Sequence, residues 1–125
     1  MNTPVTHFYI VDDDLSFGKS LKRLLNARGM SAEYFGSAQS FLDSIPPDQL
    51  GYAIVDVHMP DIGGLALMSR MREMKYSMRV IIVTGQPQAD NRNLALAGGA
   101  LGFLLKPFGE ESLLELVRQD MNGSN

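Results

Sequence analysis

The chain has 125 residues, of which 45% are hydrophobic and 20% charged, with a formal net charge of −3. These are the proportions of one globular domain large enough to bury a core. The absence of cysteine excludes a disulfide framework and thiolate metal sites, and the acidic balance gives no support to a nucleic-acid-binding surface. No apolar run approaches the roughly 18 residues of a membrane span, and the N-terminus lacks the charged-then-apolar pattern of a signal peptide. The expectation is a cytoplasmic domain with no membrane segment.

The elements alternate along the chain. His7 to Val11 is a compact apolar run that predicts a first strand, and Asp14 is placed to cap the helix after it. Phe17, Leu21, Leu24 and Leu25 follow helical spacing, and Gly29 is placed to end that helix in a left-handed conformation. Ala32 to Phe35 is a short strand candidate. Ser37 caps a second helix carrying Ala38, Phe41, Leu42 and Ile45, and Pro46-Pro47 stops it.

Tyr52 to Val55 is continuously apolar, as strands covered on both faces tend to be. After a Pro/Gly-rich loop, Leu67, Met68, Met71 and Met74 predict a third helix. Val80 to Val83 is a fourth strand. Residues 87–97 form a weak fourth helix with one large apolar pair. Leu101 to Leu105 is a fifth strand, and Leu113, Leu114, Val117 and Met121 mark a final helix, with Leu116 off its main stripe. Strands alternating with helices predict one α/β domain over residues 1–125, a parallel sheet with helices on both faces. Asn122-Gly123-Ser124 matches a glycosylation sequon, but without a secretory signal residues 122–125 read as a disordered tail.

Six residues at the ends of these runs carry the chemistry: Asp12, Asp13, Asp56, Thr84, Lys106 and Pro107. In a parallel α/β sheet such strand ends share one edge, and ligands bind in the crevice beyond it. Asp12, Asp13 and Asp56 brought together would either raise a pKa or recruit a cation. Oxygen ligands without Cys or His favour a hard ion, and Mg²⁺ suits a site that keeps waters and awaits a phosphate. Asp56 is the candidate nucleophile, since a carboxylate can attack a phosphoryl group to give an aspartyl-phosphate. That chemistry needs positioning and charge neutralisation, which Mg²⁺, the Lys106 ammonium and the Thr84 hydroxyl would supply.

The runs Val11-Asp12-Asp13-Asp14, Asp56-Val57-His58-Met59-Pro60-Asp61-Ile62-Gly63-Gly64, Val83-Thr84-Gly85 and Gly99-Ala100 through Phe103 to Lys106-Pro107-Phe108 resemble, in register, a bacterial two-component response-regulator receiver domain. The similarity covers nearly the whole chain and is greatest to FixJ-like receivers. It implies a doubly wound, flavodoxin-like (βα)5 fold with strand order 2-1-3-4-5. It also implies Asp56 as phosphoacceptor, loaded by a sensor histidine kinase or a phosphotransfer protein. Asp12, Asp13, Asp56 and the His58 backbone carbonyl would hold Mg²⁺, and the Lys106–Pro107 bond would be cis. Thr84 and Phe103 would form a switch that reshapes the surface of the fourth helix, fifth strand and fifth helix. The side chains of His58 and Gln86 would tune turnover. Such a domain is no conventional enzyme, catalysing only its own phosphorylation and dephosphorylation, and acts on a downstream effector or output domain. A phosphorylation-dependent homodimer stays open.

Three other readings compete. Asp12-x-Asp14 resembles the opening motif of Mg²⁺-dependent haloacid dehalogenase-type phosphatases, but Leu15 and Ser16 depart from its continuation. A flavin-binding domain of the same topology would want a glycine- and hydroxyl-rich phosphate loop, where this chain has three carboxylates. The receiver could also be cut from a FixJ-like transcriptional regulator with a helix-turn-helix output domain. In that case too this chain itself would not bind nucleic acid.

Overall fold

The computed structural model describes residues 6–86 and 88–122. Five parallel strands, β1 (His7–Val11), β2 (Ser31–Phe35), β3 (Tyr52–Asp56), β4 (Arg79–Thr84) and β5 (Gly102–Leu105), lie in the order β2-β1-β3-β4-β5. The helices α1 (Leu15–Ala27), α2 (Ala38–Ser44), α3 (Gly64–Glu73), α4 (Ala89–Ala97) and α5 (Glu110–Asn122) connect and follow them. Asn122, assigned to the tail from the sequence, is the last residue of α5, and residues 123–125 lie outside the described residues, as does Pro87.

The central strands are apolar throughout because both faces of the sheet are covered. On β1, Phe8 and Ile10 face one core with Leu21 and Leu25 of α1 and Leu113, Leu114 and Val117 of α5. Tyr9 and Val11 face the other, with Phe41 of α2 and Leu67, Met68 and Met71 of α3. This alternation is the period of two that a pleated strand imposes, and it makes continuous runs the signature of a doubly covered sheet.

Helix boundaries follow local chemistry. The Asp14 carboxylate accepts from Phe17 N at 3.1 Å, and Ser37 Oγ from Ser40 N at 3.1 Å, each satisfying an orphan amide at a helix start. Gly29 has φ +82, the left-handed conformation expected just past α1.

Two helical stripes are shorter than their spacing suggested. Met74 caps the C-terminus of α3 and is exposed, and Met121, in the last turn of α5, is exposed too. Leu116, off the α5 stripe, instead packs on the bare backbone of Gly102 in β5, where a Cβ would collide with its Cδ atoms. On α4, Ala95 is buried while Leu94 and Leu96 are exposed, so that helix is held by little apolar surface.

Candidate functional site

The parallel register carries four strand ends to one edge. Val11 pairs with Val55, Asp56 with Val83, and Thr84 with Leu105. Asp12 and Asp13 therefore follow β1 beside Asp56 on β3, while Thr84 closes β4 and Lys106 follows β5. Asp12, Asp56 and Thr84 are the buried polar residues of the described chain, at 0%, 6% and 0% exposure. Burial of such groups is costly unless each is hydrogen-bonded, paired with an opposite charge or bound to a metal.

Each group is held by identifiable contacts. The Asp12 amide donates to the Phe35 carbonyl at 3.0 Å, and the Tyr34 hydroxyl donates to the Asp12 carbonyl at 2.6 Å. Asp12 Oδ1 accepts from the Asp14 amide at 2.9 Å. Its Oδ2 receives no aligned hydrogen bond, although the Lys106 Nζ lies 2.7 Å away. That contact neutralises charge without satisfying the acceptor's geometry.

Asp56 Oδ2 lies 3.7 Å from the same ammonium. The loop after β3 returns across the backbone of Asp56, and a Cβ on Gly64 would overlap the Asp56 carbonyl. Only glycine lets α3 start this close to the Asp56 main chain.

Asp12, Asp13 and Asp56 each present a carboxylate oxygen, all within 4.8 Å of one another, with Asp13 exposed and the other two buried. Burial and the neighbouring Asp12 charge push the Asp56 carboxyl up to about 6, against the opposing pull of Lys106 and of the His58 amide; Asp13 adds a smaller push upward. One lysine is too little positive charge for three carboxylates. An all-oxygen donor set with an unsatisfied buried Oδ2 fits a hard divalent cation.

The Thr84 hydroxyl is turned to the next loop, accepting from the Gln86 amide at 3.1 Å and donating to the Gln86 carbonyl at 3.4 Å. The second contact is weak by its length. Gln86 and His58 are exposed, and Phe103 is half-buried against the α2–α3–α4 core. The Lys106–Pro107 peptide is cis. Asp14, the second acidic residue a phosphatase motif would require, spends its carboxylate capping α1.

Two residues at the site went unmarked in the sequence. Phe17, read there as part of a core stripe, turns its ring to Lys106, whose Nζ lies 4.2 Å from the ring centroid. Tyr34, read as a strand residue, reaches Asp12 across Gly18, where any Cβ would overlap its ring. Both contacts join distant parts of the chain and leave no local pattern.

A five-stranded 2-1-3-4-5 sheet with an acidic cluster and a lysine at its carboxyl edge defines a signalling receiver. Residues 8–118 match the response regulator receiver domain family, and the chain belongs to that family. It is 34% identical over 111 residues to the transcriptional regulatory protein FixJ of Bradyrhizobium diazoefficiens, covering 89% of this chain and 54% of FixJ. It is 33% identical over 118 residues to the response regulator protein TodT of Pseudomonas putida, covering 94% of this chain and 52% of TodT. The chain thus spans about half the length of the curated relatives it matches. Among solved structures, a CheY-like receiver domain protein from Methanospirillum hungatei superposes with TM-score 0.86 at 28% identity, over 96% of both chains. The FixJ-N crystal structure superposes at 0.85 and 28% identity, over 94% of both.

Proposed function

We propose that Asp56 is the phosphoacceptor of this receiver, loaded by a sensor histidine kinase or a phosphotransfer protein. The observation that carries the proposal is the buried Asp56 carboxylate, 3.7 Å from Lys106 and within 4.8 Å of two further carboxylates. A carboxylate oxygen of Asp56 forms the new bond to phosphorus while the bond from phosphorus to the donor breaks; a histidine donor's nitrogen leaves and takes a proton from solvent, whereas an acyl phosphate's carboxylate leaves as the anion. Lys106 faces the oxygens that gain charge, and Thr84 can turn from Gln86 to donate to another.

Asp12, Asp13, Asp56 and the His58 carbonyl are the residues that would hold Mg²⁺, which would supply positive charge to the phosphoryl oxygens. The side chains of His58 and Gln86, both exposed just past β3 and β4, would set how readily water reaches the acyl phosphate. The domain makes and loses its own phosphoryl group and turns over no other substrate.

The switch follows from differential contacts. A phosphoryl group that draws Thr84 away from Gln86 alters the start of the loop leading to α4, and Phe103 repacks toward the space released. Taking a 1:99 equilibrium to 99:1 needs about 5.5 kcal/mol of bias. Charge-assisted hydrogen bonds of roughly 1.5–3 kcal/mol each to Lys106 and Thr84 are of that order. The α4–β5–α5 face, with Leu94, Leu96 and Leu105 exposed, is the surface whose change a partner or output domain would read. The relatives include a transcriptional regulatory protein of which the matched region covers 54%, so a partner protein and an output domain of a FixJ-like transcriptional regulator are the effectors the reading allows.

The test is intact-protein mass after incubation with acetyl phosphate, with and without Mg²⁺. A Mg²⁺-dependent gain of about 80 Da that vanishes in Asp56→Asn is expected. Full incorporation in Asp56→Asn would remove Asp56 from its assigned role.

A further inference from the structure

Among the described residues, the Lys106 ammonium meets Asp12 Oδ2 at 2.7 Å, Asp56 Oδ2 at 3.7 Å and the face of Phe17, with 4.2 Å from Nζ to the ring centroid. The first two are the carboxylates a divalent cation would take. A cation drawn to Asp12 and Asp56 repels the ammonium and competes for the oxygens that anchor it. The aromatic ring is different, because its negative face attracts an ammonium and is no ligand for a hard ion.

Phe17 is itself braced. Its ring stands edge-on to Phe108, with centroids 5.9 Å apart at an interplanar angle of 72°. Phe108 lies two residues beyond Lys106, so the strap that delivers the lysine also fixes the ring that faces it. Phe17 is half-buried on the first turns of α1, the helix capped by Asp14 directly after the acidic pair.

We propose that Phe17 is a positioning residue that keeps the Lys106 ammonium in the site once a cation occupies the carboxylates. The ring holds Lys106 in reach of the phosphoryl position without neutralising its charge. A third carboxylate partner would hold it as firmly but would compete with the incoming phosphoryl group. The proposal rests on the phosphoacceptor reading for its purpose, but the contact can be tested without any phosphoryl transfer.

The first arm of the test is NMR of the whole chain, following the Lys106 ε-methylene protons, identified by their loss in Lys106→Met. In the wild type they carry the upfield ring-current shift of an aromatic face, and Mg²⁺ leaves that shift in place. In Phe17→Leu the shift is absent. A wild-type resonance that returns to the ordinary lysine position on Mg²⁺ addition would overturn the proposal. The second arm is the initial rate of phosphorylation by acetyl phosphate at saturating Mg²⁺, across Phe17 and its mono-, di- and trifluorinated analogues. Fluorine drains the ring face with little change of size, so the rate should fall stepwise. Phe17→Leu should lose about fivefold and Phe17→Trp recover the wild-type rate, as expected for one cation–π contact. A flat series with a wild-type rate in Phe17→Leu would also overturn it. A wild type that takes up no phosphoryl group would instead sink the phosphoacceptor reading, and the methylene shift would still decide what Phe17 does.

Discussion

Replacing Asp56 with asparagine should make the cation-free domain more stable, although it removes the proposed phosphoacceptor. Burial and the Asp12 charge raise the Asp56 carboxyl from 3.8 to about 6. The folded chain thus holds that proton more tightly than the unfolded chain, and stability is lost as pH rises from about 4 to about 6, with no further loss above. At about 1.4 kcal/mol per tenfold change in proton affinity, ionising Asp56 in place costs on the order of 3 kcal/mol. Asparagine keeps the shape and one carbonyl acceptor, and the lost attraction to Lys106 is already contained in that net shift, so the gain is roughly 2–3 kcal/mol. For a domain of this length that is a rise of roughly 5–10 °C in Tm. Thermal melts by circular dichroism from pH 4 to 8, in the presence of a chelator, measure the difference directly. It should be near zero at pH 4, open between 4 and 6, and narrow again with excess Mg²⁺. An Asn variant no more stable than wild type at neutral pH, or a gap equally wide at pH 4, would refute the reasoning.

Other outcomes follow from the same contacts. Lys106→Ala leaves the buried Asp12 carboxylate without its ammonium, a loss of about 3 kcal/mol that Mg²⁺ should largely restore in a melt; it should still accept some phosphoryl group but fail to switch. Gly18→Ala gains up to about 1 kcal/mol of helix propensity, yet it displaces the Tyr34 ring and its hydrogen bond to Asp12. The net effect should be a loss of roughly 1–3 kcal/mol, and the same change made on a Tyr34→Ala background should be harmless. The Tyr52 hydroxyl, buried and donating to Asp120 at 2.8 Å, is pushed up to about 12. A spectrophotometric titration should therefore show a phenol ionising last and missing in Tyr52→Phe, with its contribution to stability lost between about pH 10 and 12.

The fold was legible because doubly covered strands appear as unbroken apolar runs, and four of the five end at a candidate site residue. Asp12, Asp56, Thr84 and Lys106 could be gathered at one edge on that basis alone, while the strand order and the roles of His58, Gln86 and Phe103 came from the family resemblance. The helical stripes misled only at their ends, where Met74 and Met121 continue the spacing past the last turn that meets the sheet. The packing of Leu116, off the α5 stripe, left no signal either, since the space it fills is created by Gly102, distant in sequence. The same limit hid Phe17 and Tyr34. A helix-face phenylalanine and a strand tyrosine look like packing until the chain brings Lys106 and Asp12 against them.

The most direct test of the central claim is to locate the phosphoryl group. Borohydride reduction of the phosphorylated chain converts an acyl phosphate at an aspartate to homoserine, which peptide mass mapping assigns to a position. The account predicts homoserine at position 56 and unmodified aspartate at 12, 13 and 14. Homoserine at Asp12 or Asp13, or phosphate resistant to borohydride, would contradict it.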